Sequence, residues 1–171
     1  MKTILAKSIS YGGKRNKKNV KYIVIHHTGN KNDTAENNGK YYKNVNTRQA
    51  GAHFFIDQNG NIVKSIYLGN TAWSVGGSKY SDCKQTGGGR LYGKVTNANS
   101  VSIELCDIVD KEPSEAMVKA VVKTIKYIKK SCPNAKDIIR HFDVNGKHCP
   151  ASMMDEQMWN KFIFRVFYNY K

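Results

Sequence analysis

No stretch of this 171-residue chain approaches the run of about 18 apolar residues that spans a bilayer. The opening, MKTILAKSISYGG, turns polar after a few apolar positions. Membrane insertion is therefore not expected, nor is a cleaved secretion signal. Acidic residues are scarce: thirteen Asp and Glu stand against twenty-eight Lys and Arg, a formal net charge of +15 at pH 7. Such a surface attracts polyanions and loses that attraction in salt. Four cysteines, Cys83, Cys106, Cys132 and Cys149, are too few and too scattered for the dense disulfide framework of a small secreted scaffold, so they are expected to be unpaired. Internal repeats are also absent, which excludes solenoids and propellers.

The chain is long enough to bury one sizeable core, and one domain is expected. Eleven basic and two acidic side chains fall in the first fifty residues, with KRNKK at 14–18. Residues 1–19 are thus expected to form a basic leader, solvated or binding a polyanion, that is packed on or precedes a domain spanning 20–171. No further domain is expected after residue 168.

The apolar pattern alternates between strand and helix periods. YIVIHH at 22–27 is a β-branched run of strand length, and AENNGKYYKNVN at 35–46 follows two candidate helix caps, Asp33 and Thr34. AHFFID at 52–57 and NIVKSIYL at 61–68 flank Asn59-Gly60, a hairpin signal. From Gly76 to Asn99 periodicity dissolves into Gly, Ser, Lys and Asn, as in a long functional loop. SVSIELC at 100–106 places Val101, Ile103 and Leu105 on one strand face and Ser102 with Glu104 on the other. Helical spacing predicts helices over 114–130 and about 155–168, and DIIRHF at 137–142 reads as a short strand. The pattern describes an α/β domain with a central mixed sheet flanked by about three helices.

Two places carry candidate chemistry. His26 ends a buried strand, where side chains of α/β sheets gather into sites. The cluster His141-Phe-Asp-Val-Asn-Gly-Lys147-His148-Cys149-Pro150 offers a second imidazole and a thiol. A catalytic zinc takes three protein ligands of these types and leaves a position for water, whose pKa it lowers to about 7. A closed structural site would need a fourth ligand, for which His27, His53 and His148 are available, yet the paired close spacing of common structural sites is missing. Glu104, flanked by apolar residues, is either a buried general base or an exposed strand glutamate. Lys147 lies two positions before Cys149, where its ammonium would aim at an oxyanion.

YIVIHHT at 22–28, AGAHFFID at 50–57, NTAWSVGG at 70–77, NSVSIELC at 99–106 and RHFDVNGKHCP at 140–150 resemble, in order, the motifs of type 2 N-acetylmuramoyl-L-alanine amidases. This family includes phage endolysins and bacterial autolysins and is related to peptidoglycan recognition proteins. The resemblance spans roughly residues 20–168 and implies that fold. It also implies one Zn²⁺ held by His26, His141 and Cys149, with Glu104 as the catalytic glutamate and Lys147 as the oxyanion partner. His53 and Trp73 are implied near the cleft, against substrate. The implied reaction is hydrolysis of the amide joining the lactyl group of N-acetylmuramic acid to L-alanine of the peptidoglycan stem. A phage-type endolysin module would reach the wall from the host cytoplasm by lysis or holin-type delivery. Where other branches carry a tyrosine, this chain has Ala52, so that tyrosine's role must pass to Glu104 or be absent.

Two other readings are open on sequence. A peptidoglycan-binding module without catalysis would retain wall fragments but release no amino termini, with or without zinc. A nucleic-acid binder would show salt-steep affinity, but no nucleic-acid motif is visible, so peptidoglycan and anionic wall polymers are the expected partners.

Overall fold

Alternation along three strands builds the centre of the molecule. In the computed structural model, which describes residues 1–170, the chain runs β1 (Lys2–Thr3), β2 (Tyr11–Lys14), β3 (Tyr22–His27), α1 (Ala35–Asn44), β4 (Phe54–Ile56), β5 (Ile62–Lys64), β6 (Asn70–Ala72), α2 (Cys83–Thr86), β7 (Ser100–Leu105), α3 (Glu115–Ser131), β8 (Asp137–Arg140), α4 (His141–Asn145) and α5 (Glu156–Tyr168). Six strands form a mixed sheet in the order β1-β5-β4-β7-β3-β8, and β2 pairs with β6 in a separate ribbon. β3, β4, β7 and β8 run parallel where they pair, while β4 and β5 form the antiparallel hairpin expected across Asn59-Gly60. The fold is a single α/β domain.

The odd-numbered apolar residues of β3 and β7, Ile23, Ile25, Val101, Ile103 and Leu105, join Phe54 and Ile56 under α3 and α5. Those helices contribute Met117, Val121, Ile125 and Ile128, and Trp159, Phe162 and Val166. Burying each such side chain is worth roughly 1.5–3 kcal/mol, so this layer is the chief cohesive part of the molecule. On the opposite face Phe55, Val63 and Cys106 pack with Ala35 and Tyr42 of α1.

Local detail refines several expectations. Residues 1–19 are tied to the domain by strand pairing: Lys2 and Thr3 pair with Val63 and Lys64 at the sheet edge, and Tyr11 pairs with Ala72. The three expected helices, α1, α3 and α5, are joined by two more that are four and five residues long and too short to leave a periodic trace. One of them, α2, lies within the expected loop at 76–99. The strand read over 137–142 stops at Arg140 because the Asp143 carboxylate accepts the Arg140 N–H at 2.9 Å and starts α4 at His141. All four cysteines are buried and unpaired.

Candidate metal centre and cleft

The site lies at the C-terminal ends of the parallel strands β3, β7 and β8. His26 is the Cα partner of Glu104, and Phe55 is the partner of Glu104 on its other side. Both His26 and Glu104 therefore leave the sheet on the face away from α3 and α5, as the alternation along β7 requires. His26 Nδ1 lies 4.0 Å from Glu104 Oε1.

A tight reversal delivers the other half. α4 ends at Gly146, whose φ of 90° lies in the left-handed region. A Cβ there would also sit 2.3 Å from Cys83 Sγ, so both backbone conformation and space demand glycine. The chain then returns until the Phe142 N–H donates to the Cys149 carbonyl at 2.8 Å. Beneath the turn, fully buried Arg140 donates to both Asp143 oxygens and to the carbonyls of Met153 and Met154, tying this segment to the start of α5.

One ligand atom from each of His26, His141 and Cys149 falls within 4.8 Å of the others, and all three residues are buried. Cys149 Sγ is 3.9 Å from His26 Nδ1, and the two imidazole centroids are 4.6 Å apart. The His27 backbone N–H points at Cys149 Sγ at 3.4 Å. His26 Nε2 and both His141 nitrogens are buried without a hydrogen-bond partner among the described residues. Unmatched buried polar atoms are costly, and here two imidazoles and a thiol turn toward one another. This donor set fits a metal ion.

Burial, then the neighbouring His141 and Lys147, holds the His26 imidazole well below its ordinary range. Burial with Lys147 lowers His141 to about 3, so both rings are neutral, as ligands must be. Burial and then the Glu104 charge push the Cys149 thiol up to about 12. Burial raises Glu104 to about 7 against the opposing pull of Lys147, and its Oε2 has no partner.

The cluster floors a cleft of about 770 Å³. Trp73 and the exposed Lys147 stand on its wall, where a second depression continues past them toward Tyr80 and Asn145. His53 does not line it. That ring is fully buried, with Arg15 Nη2 at 2.8 Å from Nε2 and Ser102 Oγ at 3.1 Å from Nδ1, so substrate contact is replaced by packing between the leader and β7. His148 is exposed beside Asp82, whereas His27, the last residue of β3, lines the cleft. Asp33, Asn37 and Tyr42 also line the cleft, and the sequence reading missed them as site residues. Asp33 was legible only as a helix cap, a role Thr34 takes by accepting the Asn37 N–H.

Fold and cluster together define an α/β domain with a metal-competent centre at the C-terminal ends of its parallel strands. The chain belongs to the N-acetylmuramoyl-L-alanine amidase family, whose profile matches residues 16–152. It is 29% identical to the N-acetylmuramoyl-L-alanine amidase CwlA of Bacillus subtilis (strain 168) over 93% of its own length and 53% of that protein. It is 26% identical to the amidase XlyB of the same organism, over 85% of this chain and 42% of the relative. The chain thus spans about half the length, or less, of these curated relatives. The solved structure of PlyL superposes with a TM-score of 0.69 at 23% identity, covering 97% of this chain and 96% of that one. A mutant endolysin from Bacillus subtilis gives 0.70 at 22% identity, covering 96% and 97%. These structural likenesses concern the fold.

Proposed function

We propose that this domain is a zinc-dependent N-acetylmuramoyl-L-alanine amidase that cleaves the amide between N-acetylmuramic acid and L-alanine in bacterial peptidoglycan. The observation that carries the reading is the convergence of three buried ligand atoms within 4.8 Å on a cleft floor, beside a carboxylate with an unpartnered oxygen. Family membership and the names of the curated relatives supply the reaction class.

His26, His141 and Cys149 would hold the zinc. The chemistry that Zn²⁺ supplies when bound is Lewis acidity toward water and toward the scissile carbonyl. Glu104 stands beside His26 inside the cleft and takes a proton from the attacking water. Breaking the C–N bond releases the L-alanine nitrogen, to which Glu104 returns that proton. Lys147 presents a cation on the cleft wall, opposite the negative charge that develops on the carbonyl oxygen. Trp73 offers a flat apolar wall for sugar or peptide.

The direct test incubates the chain with purified cell walls and assays new L-alanine amino termini, with chelator and zinc add-back as controls. Release that stops with chelator and resumes with zinc is expected. Retention on walls without release under any condition would identify a binding module instead.

A further inference from the structure

α5 is apolar on more of its circumference than the core requires. Trp159, Phe162 and Val166 face inward, yet on the outer side Phe164 is 70% exposed, Phe167 53% and Tyr168 70%. These three are neighbours at helical spacing, and the Phe164 and Tyr168 rings stack at 6.3 Å. A contiguous group of exposed aromatics on a surface helix marks a contact surface.

A second observation says what covers it. α3, which packs beside α5 on the same sheet face, has five lysines and no acid from Ala116 to Ser131. Lys119, Lys123, Lys126 and Lys130 recur at i, i+4, i+7 and i+11, so they share one exposed face. None of the four pairs with a carboxylate among the described residues. Glu112, which precedes α3, and Glu115, its first residue, are paired with Lys161 and Arg165 of α5. Between the two groups, Lys126 and Lys129 of α3 place ammonium groups 5.0 and 5.1 Å from the ring of half-buried Tyr170, two residues beyond Tyr168.

We propose that the α3–α5 surface docks on an anionic lipid bilayer, with Phe164, Phe167 and Tyr168 seated at headgroup level and the α3 lysines against the anionic headgroups. Aromatic side chains favour that depth, and each lysine near an anionic surface adds attraction. A soluble polyanion would use the lysines and leave the aromatics unexplained. A second copy would bring one lysine face against another in a chain already at +15. The docking is adsorption, since no helix among the described residues is long and apolar enough to cross a membrane. His26 and Glu104 leave the sheet on the face opposite α5, so a docked molecule turns its cleft away from the bilayer. The inference does not rest on the amidase reading.

The test is cosedimentation of the whole chain with vesicles of phosphatidylcholine alone or containing one quarter phosphatidylglycerol, at low and physiological salt. Two variants are compared, Phe164→Ser/Phe167→Ser/Tyr168→Ser and Lys123→Glu/Lys126→Glu/Lys130→Glu, all at exposed positions, with circular dichroism as the folding control. Binding to the anionic vesicles only, weakened about tenfold or more by each variant, is expected. The proposal is overturned if the parent chain ignores anionic vesicles, or if the aromatic variant binds them as well as the parent does. It is equally overturned if sedimentation velocity shows a dimer that the aromatic variant dissociates while vesicle binding is unchanged.

Discussion

His26 and Glu104 are register partners on adjacent parallel strands, with the imidazole Nδ1 4.0 Å from the carboxylate. Their neighbourhood is set by the β3–β7 ladder rather than by a flexible loop. A carboxylate held by a sheet keeps its position relative to an imidazole on the same sheet whatever the surrounding loops do. Separating the two functions by mutation is therefore possible.

Glu104→Gln keeps the shape and removes the proposed base. Amide hydrolysis is expected to fall by about 10²–10⁴-fold while zinc content and melting temperature stay close to those of the parent. Steady-state assay with elemental analysis checks this, and unchanged turnover would remove Glu104 from the mechanism.

Purified chain is expected to carry one zinc ion, and Cys149→Ala or His141→Ala to lose it. Because a ligand that binds only the folded state stabilises it by about 4 kcal/mol at a thousandfold excess over Kd, chelation of the parent should lower its melting temperature by several degrees. The variants should show little further response to chelator. Equal zinc content in Cys149→Ala would eliminate the thiol as a ligand.

His53 makes stability depend on pH. Burial, with the charge of Arg15 second, lowers its folded-state pKa from 6.5 to about 3. Between those values the unfolded chain binds the extra proton, so stability is fully present above about 6.5 and is lost as pH falls toward 3. His53→Gln should cost about 1–3 kcal/mol near pH 7.5. The gap to the parent should narrow on acidification to pH 4, because glutamine has no proton to take up. Thermal melts across that range decide it, and a gap of constant size would contradict the assignment.

Arg140 is fully buried with Asp143 as its bidentate partner, and Glu156 adds a contact to the same guanidinium. Arg140→Met leaves the Asp143 carboxylate buried and short of its principal cation, at an expected cost of about 3–5 kcal/mol. Adding Asp143→Asn should restore part of that loss. Denaturant unfolding of the single and double variants measures the coupling, and additive costs would show that the two side chains act independently.

Much of the fold was legible because local chemistry repeats. The β-branched run 22–27, the alternation of 100–105 and the helical spacing of 114–130 each repeat with the period of their element, and the strands and helix appear within a residue or so of those bounds. Alternation likewise placed Ser102 and Glu104 on the face away from Ile103 before any partner strand was known. The motifs at 22–28 and 140–150 showed that two imidazoles and a thiol were available.

What tertiary structure alone decided is which of those groups meet. Cys149 lies 123 residues from His26, and only the pairing of β8 with β3 and the Gly146 reversal bring Sγ within 3.9 Å of the ring. His53 sits outside the cleft for the same reason: its ring packs between the half-buried Arg15 and Ser102, a contact between distant residues. Periodicity records which side of an element is buried because burial repeats along the chain. A contact between distant residues occurs once, and so it leaves no pattern in the sequence to read.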